Sequence, residues 1–158
     1  MNGLDISKYH GFSEDVVGAA KFYIRSIHGM DEDVRLSNRL YIPQRRLRGF
    51  NTNKVGPKDG DDYVGGNYVT AFGFETQFPN LLPESTRTDV SFHIDAGNVG
   101  GADYNSALDD TNEIRSSIGI SANMYTTVGP LSLTIAQALS QGTNDETQSF
   151  NFRLGTSF

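Results

Sequence analysis

Arg48 stands directly before Gly49 and Phe50 in a segment rich in turn-forming residues. A guanidinium can satisfy two nearby carboxylates at once through paired hydrogen bonds, because its donors form a planar fork. A glycine lets the backbone turn tightly, and a phenylalanine fills apolar space. The residue types therefore suit a loop whose cation bridges two acids, and the alternative is a solvated basic patch formed with Arg45 and Arg46.

Glu75 and Asp95 are the acids that such a cation, or an enzyme, can use. In isolation they resemble the carboxylate pair of a glycoside hydrolase, but the aromatic side chains needed to stack on a sugar alternate onto the opposite face. His93 shares a face with Asp95, yet no third metal ligand and no serine nucleophile accompany it. We therefore expect no enzyme, no metal site and no cofactor, with His93 as a polar wall residue.

The composition of the chain excludes several classes of function and partner. A net charge of −6 and an isoelectric point near 4.9 argue against a nucleic-acid partner. The absence of cysteine removes disulfides, thiolate zinc sites and cysteine nucleophiles. The sequence has no apolar run of about 18 residues, and its first residues lack the basic and apolar regions of a signal peptide. The acidic pairs Asp109-Asp110 and Asp145-Glu146 are predicted to be solvated loop charge.

Period-two alternation dominates the chain and predicts strands rather than helices. The predicted apolar faces carry Phe72, Phe74 and Phe78, then Val90, Phe92 and Ile94, then Ile118, Ile120 and Met124, then Leu131, Leu133 and Ile135, and finally Phe150, Phe152 and Leu154. The same parity places Glu75 and Asp95 on the polar faces of consecutive strands. The first ten residues are expected to hold the end of one more strand.

The connections between these strands alternate in length. Short turns with proline (FPNLLPES and TTVGP) alternate with longer polar segments at 98–112 and 140–147, and the longest connection spans 28–66. This alternation is typical of a transmembrane up-and-down β-barrel, whereas strand alternation alone is equally typical of a soluble sandwich. Strands of about nine to eleven residues, with aromatics such as Tyr68 and Phe78 near their ends, favour the barrel.

An ordered set of motifs resembles the BamA-type outer-membrane assembly barrels of the bacterial surface antigen superfamily. The set begins with Leu47-Arg48-Gly49-Phe50, which matches the family's RGF loop motif. It continues with Lys54-Val55-Gly56-Pro57, Gly65-Gly66-Asn67, Gly73-Phe74-Glu75, Asp95-Ala96-Gly97, Val128-Gly129-Pro130-Leu131 and a terminal aromatic, Phe158. The resemblance covers nearly the whole chain from about Val16, and it is specific as a set although RGF alone is weak.

The resemblance implies a fold. Residues 1–158 are expected to be all-β, an antiparallel meander of about seven strands that forms the C-terminal part of a sixteen-stranded transmembrane β-barrel. Residues 28–66 are expected to be the long extracellular loop that carries the motif. Seven strands of this kind cannot close, and open edges in lipid leave costly unpaired backbone groups. The chain is therefore expected to be a fragment of a longer protein or to pair with further strands.

The resemblance also implies the site residues. In the family the long loop folds back into the barrel lumen, so Arg48 is expected to meet Glu75 and Asp95 on the inner wall, with Gly49 allowing the approach and Phe50 filling space. The C-terminal strand is expected to carry the family's assembly signal in Phe150, Phe152, Leu154, Gly155 and Phe158.

The function implied by the resemblance is that of an assembly factor (insertase) of the bacterial outer membrane. It is expected to fold and insert other β-barrel proteins through a lateral seam at its last strand, which runs from Gln148 to Phe158. Unfolded outer-membrane β-barrel proteins, accessory assembly lipoproteins and outer-membrane lipid are the implied partners. A TamA-like barrel or a two-partner secretion transporter, which share the motif, and a passive porin, which lacks it, are the alternatives.

Overall fold

The computed structural model describes residues 1–29, 35, 38–101, 113–142 and 145–154. Its strands are β1 (Asn2–Ser13), β2 (Val16–Ser26), β3 (Lys58–Asp59), β4 (Asp62–Tyr63), β5 (Tyr68–Phe78), β6 (Thr88–Gly100), β7 (Arg115–Thr126), β8 (Gly129–Ser140) and β9 (Phe150–Leu154). Two single 3-10 turns lie at Gln44–Arg46 and Glu84–Thr86. Within this part of the chain, no helix has the length and hydropathy needed to cross a membrane.

Seven strands form one sheet in the order β1-β2-β5-β6-β7-β8-β9, and every neighbouring pair is antiparallel. The predicted all-β meander of about seven strands is therefore confirmed. The small strands β3 and β4 pair only with each other, as a hairpin within the long connection between β2 and β5. Because consecutive long strands are spatial neighbours, residues paired across the strands lie on the same face, and the inward residues are odd-numbered in β5, β6, β7 and β9 and even-numbered in β8.

The two ends of the sheet differ. The connections at 14–15, 79–87 and 127–128 share one end, where Asn80 Nδ2 donates a hydrogen bond to Asp15 Oδ1 at 2.5 Å. The connections at 27–67, 101–114 and 141–149 share the other end. The strands β1, β2 and β5 to β8 are 11 to 13 residues long. A tilted strand of about 9–11 residues spans the hydrocarbon layer, so each of these strands is long enough to cross it.

Exposure alternates along the central strands β5 and β6, whereas every residue of the edge strand β1 is exposed. The inward face is buried at Val69, Ala71, Glu75, Ser91, His93, Asp95, Val99, Arg115, Ser117 and Ser121, and the outward face exposes Phe72, Phe74, Phe92, Ile94, Ile120, Ile135, Phe150 and Phe152. A polar cavity of about 540 Å³ is bordered by inward residues of strands from β1 to β9. The sheet therefore curves around a polar space and presents an apolar convex face, which is the arrangement of a transmembrane barrel wall.

The strand β1 is longer than the sequence pattern indicated. It pairs with β2 from Asn2, opposite Ser26, to Ser13, opposite Val16, with one irregularity near Gly11. Lys8 interrupts the apolar series of this strand, which is why the pattern predicted only a strand end. Backbone pairing with β2 along its full length overrides the interruption, since strand formation depends more on neighbours than on intrinsic preference.

Candidate functional site

The connection at 27–67, called the motif loop below, turns back onto the inward face of the sheet. Within the loop, Leu40 and Gly66 exchange two hydrogen bonds of 2.8 and 2.9 Å, and the Asn67 N–H donates to the Gly100 carbonyl of β6 at 2.8 Å. The 3-10 turn at Gln44–Arg46 then reverses the chain, and the next four residues form the motif. Leu47 and Phe50 are each 1% exposed, so the motif is buried between the sheet and the rest of the loop.

Arg48 contacts both predicted acids. Its Nε and Nη2 donate to the two carboxylate oxygens of Asp95 at 2.7 and 2.9 Å, and its Nη1 donates to Glu75 Oε2 at 2.5 Å. Its backbone N–H also donates to Asp95 Oδ2 at 3.1 Å. Asp95 is thus held by three hydrogen bonds from one residue, and the two from the side chain have the paired geometry that a planar guanidinium provides.

The charges at this contact are balanced. Glu75 also accepts a hydrogen bond from Gln77 at 2.9 Å and lies 3.7 Å from the ammonium of Lys21. Burial by itself lowers the pKa of Arg48, but hydrogen bonds and attraction from Asp95 and then Glu75 outweigh it and raise that pKa above its usual value. The guanidinium of Arg48 therefore remains charged beside the two acids of the wall.

Gly49 brings the loop backbone against the wall. Its φ of +94° is in the left-handed region, and a Cβ atom built there lies 3.2 Å from Ala136 Cβ and 3.3 Å from Ser117 Cβ. A side chain at this position is therefore disfavoured both by the backbone conformation and by the close approach to β7 and β8.

Replacing Gly49 by alanine is expected to destabilise the docked loop by about 1–3 kcal/mol, because strain and crowding add. Gly60, in the β3–β4 turn, is a matched control, since its φ is also positive at +63° but a Cβ there meets nothing within 4 Å. Unfolding of the two variants in detergent, followed by the gel shift of folded barrel, measures the difference. Equal stability of Gly49→Ala and Gly60→Ala would contradict the role assigned to the close approach.

An apolar cluster surrounds the motif. Its loop members are Leu40, Ile42, Leu47, Phe50 and Val55, and its wall members are Tyr23, Val69, Ala71 and Val99. The alternation in the sequence predicted a polar inward face. The wall members of the cluster, near the end with the long connections, are inward residues that are apolar instead. Their apolar side chains have a partner because the motif loop covers them.

The motif also pairs with the connection that leads into β9. Phe50 and Thr147 form an antiparallel bridge, the Gln148 N–H donates to the Gly49 carbonyl at 2.9 Å, and the Asn51 N–H donates to the Glu146 carbonyl at 2.9 Å. The side chains of Gln44 and Gln148 are joined by a hydrogen bond of 2.9 Å. The motif loop is therefore held by the β8–β9 connection as well as by the wall.

The neighbouring arginines have different environments. Arg45 is exposed, as a solvated charge would be. Arg46 is not solvated, because its Nη2 donates to Asp5 Oδ2 of β1 at 2.5 Å and its guanidinium lies 5.3 Å from the ring centre of Tyr23. The alternative of a simple solvated patch is therefore wrong for Arg46 and Arg48.

The residues of the two acidic pairs also differ in their environments. The prediction of solvated charge is wrong for Asp145, whose side chain is 1% exposed and ion-paired with Arg115. The reason is tertiary, since the partner lies 30 residues away in the sequence. Glu146 is exposed and accepts a hydrogen bond from Asn51 at 3.2 Å. Asp109 and Asp110 lie outside the described residues.

His93 lies on the inward face, fully buried, opposite Glu75 in the neighbouring strand. Neither of its ring nitrogens has a hydrogen-bond partner within the described part of the chain. No group of three metal-binding side chains surrounds it there. The structure therefore places His93 in the wall next to the Arg48 contact.

The C-terminal strand places Phe150, Phe152 and Leu154 on the convex face, each more than half exposed. Arg153 and Asn151 alternate onto the inward side, where they border the cavity. Gly155 and Phe158, the other residues of the predicted assembly signal, lie outside the described residues, so that signal stays a prediction.

A curved antiparallel sheet with an apolar outer face, a polar inner face and a long loop anchored inside defines a segment of an outer-membrane β-barrel wall. The Omp85 superfamily domain model matches residues 3–158, and the chain belongs to that superfamily. This membership places the chain in the bacterial outer membrane.

Two curated relatives carry the name outer membrane protein assembly factor BamA. The one from Neorickettsia risticii (strain Illinois) is 28% identical over 146 residues, which cover 90% of this chain and 19% of the relative. The one from Neisseria meningitidis serogroup B is 30% identical over 139 residues, which cover 71% of this chain and 17% of the relative. The chain therefore spans less than a fifth of the length of these two relatives.

A solved structure has the same fold. The crystal structure of BamA from Haemophilus ducreyi lacking POTRA domains 1–3 matches with a TM-score of 0.80 and 24% identity, over 95% of this chain and 33% of that one. The seven-stranded meander is thus the C-terminal part of a BamA-type barrel in its fold.

Proposed function

We propose that this chain is part of an outer-membrane assembly factor that folds and inserts other β-barrel proteins, and that it acts without enzymatic chemistry. The observation that carries the proposal is the Arg48 contact, in which three segments far apart in sequence converge through Asp95, Glu75 and the motif. The names of the two curated relatives support the same function.

The proposed mechanism uses the sheet edge at β9. This strand pairs with β8 on one side and is the last strand of the sheet order. An incoming strand can add to such an edge by backbone hydrogen bonds, and that pairing supplies free energy without a nucleotide. Unfolded outer-membrane β-barrel proteins are the proposed substrates, accessory assembly lipoproteins the proposed partners, and outer-membrane lipid contacts the convex face.

Photo-crosslinking from two phenylalanines tests this mechanism. Phe152 on β9 and Phe92 on β6 are 58% and 38% exposed on the same convex face, but β9 is an edge strand of the sheet and β6 is an interior strand. A photo-crosslinking amino acid at position 152 is expected to capture unfolded β-barrel substrate during assembly in cells, and the same amino acid at position 92 is expected to capture little.

Both outcomes of this comparison are informative. Substrate adducts from position 152 at several times the yield from position 92 agree with a lateral seam. Equal yields, or adducts from neither position while substrates are being assembled, would contradict strand addition at β9. A two-partner secretion transporter, which shares the motif, is expected to give an adduct with a single secreted partner instead.

A further inference from the structure

After the Arg48 contact, the carboxylate of Asp145 is a second buried anchor of the motif loop. It lies at the end of the sheet where the long connections meet. Asp145 Oδ2 accepts a hydrogen bond from Arg115 Nε at 2.6 Å, and Oδ1 lies 3.4 Å from Arg115 Nη2. The two side chains are 1% and 3% exposed. A buried pair of this kind is costly to break one partner at a time, because the remaining charge is left without compensation.

The same carboxylate binds backbone from two connections. Its Oδ2 accepts the Gly142 N–H at 2.6 Å, and its Oδ1 accepts the Gly56 N–H of the motif loop at 3.0 Å. Arg115 in turn donates to Asn98 Oδ1 of β6 and to the Glu113 carbonyl, both at 2.9 Å. One ion pair therefore joins the motif loop, the β8–β9 connection and the wall strands β6 and β7.

Gly142 shows that the pair is closely fitted. A Cβ atom at that position lies 2.9 Å from Arg115 Nη2 and 2.9 Å from Asp145 Oδ2. Glycine is thus the residue that lets the guanidinium and the carboxylate meet beneath the connection. A methyl group there must push them apart, although all charges remain.

The Arg48 and Asp145 contacts lie on either side of a set of backbone hydrogen bonds between the motif loop and the β8–β9 connection. Arg48 binds Asp95, which pairs with Ser117 of β7, and Arg115 is two residues further towards the long-connection end. Between them, the Asn51 N–H donates to Glu146 and the Glu146 N–H donates to Lys54, at 2.9 and 3.0 Å. We infer that Asp145 is a positioning residue that fastens the motif loop and the connection into β9 as one unit.

This unit determines how the edge strand is held. The connection continues through Gln148 and Ser149, whose carbonyl accepts the Ala136 N–H of β8 at 2.9 Å, directly into Phe150 of β9. The start of β9 cannot move away from β8 without straining the contacts to the motif loop. The consequence for substrate insertion rests on the proposed function, whereas the coupling itself is a property of this chain alone.

Hydrogen exchange of the native protein in detergent tests the inference. Asp145→Asn keeps the side-chain shape and removes the charge, and it is expected to speed exchange at Gly56, Asn51, Glu146 and Gln148 by about tenfold or more, as expected for losing a hydrogen bond to a charged group. Asp61→Asn, an exposed acid in the turn between β3 and β4, is the control and is expected to change none of them.

A second variant and a reciprocal measurement separate coupling from general instability. Gly142→Ala is expected to speed exchange at the same amides to a smaller extent, and it decides the outcome if Asp145→Asn does not accumulate. Arg48→Ala is expected to speed exchange at Glu146 and Gln148, because coupling between two anchors is reciprocal. A purely local role for Asp145 predicts changes at Gly142 and Gly56 alone.

The outcomes are distinct. Faster exchange across both segments in the Asp145 or Gly142 variant, with β5 and β6 unchanged, supports the positioning role. Unchanged exchange at Asn51 and Gln148 in a folded variant overturns it. The experiment uses no assembly assay, so a failure of the proposed function leaves this result intact, and the reverse also holds.

Discussion

Arg48→Ala is expected to release the motif loop from the wall and to abolish most of the assembly activity. The variant leaves Asp95, which is 1% exposed, and Glu75 without their shared cation. Removing one partner of a buried ion pair costs about 3–5 kcal/mol, and the adjoining polar cavity screens the charges, so about 3 kcal/mol or less is expected. Protease cleavage of the motif loop in intact cells, together with the levels of other outer-membrane β-barrel proteins, measures the effect.

Two companion variants define the cause of the loss. Arg48→Lys is expected to rescue poorly, because an ammonium group cannot donate to Asp95 and Glu75 with the same planar geometry. Arg45→Ala removes an exposed arginine three residues away and is expected to behave like the unchanged protein. Wild-type protection of the loop in the Arg48→Ala variant would show that the ion pair does not hold it.

Phe50→Ala is expected to lower the free energy of unfolding by about 3–5 kcal/mol, the range for truncating a buried phenylalanine. Phe50 is 1% exposed and packs in the apolar cluster between the motif loop and the wall. Its truncation leaves a cavity that the anchored loop cannot close, since backbone hydrogen bonds of Gly49 and Asn51 to the β8–β9 connection hold the chain on both sides of Phe50. Urea unfolding of the native barrel in detergent measures this change.

Leu81→Ala is the control for the loss of apolar surface. Leu81 is 61% exposed in the β5–β6 connection at the opposite end of the sheet, so its truncation is expected to change stability by less than about 0.5 kcal/mol. A similar effect of the two substitutions would mean that the cluster around Phe50 adds nothing specific to the docking of the motif loop.

The strands of the barrel wall could be predicted from the sequence, because the alternation of apolar and polar residues along a strand is a local property. Period two placed Phe72, Phe92 and Phe152 on apolar faces and Glu75 and Asp95 on polar ones, and antiparallel pairing continues each face from strand to strand. The acids could therefore be assigned to one surface before their spacing was known. The motif then indicated which cation lies between them.

The rest of the site depends on contacts between distant segments. The sequence alone predicts Asp145 to be a solvated loop charge, because its partner Arg115 lies far away in the chain. It likewise predicts Arg46 to be part of a solvated basic patch, because only the fold brings Asp5 of β1 beside it. Burial of Val69 and Val99 on the inward face requires the motif loop above them. Local pattern contains no signal for these contacts, because each is set by how the loop folds over the sheet.

Reconstitution tests the central claim most directly. Liposomes that contain the native protein are mixed with an unfolded outer-membrane β-barrel protein in the absence of nucleotide, and the folded fraction is followed by its gel shift. We predict folding several times faster than in empty liposomes, and a loss of most of that acceleration with Arg48→Ala but not with Arg45→Ala. Equal folding rates in empty liposomes and in liposomes with the wild-type protein would contradict an assembly function.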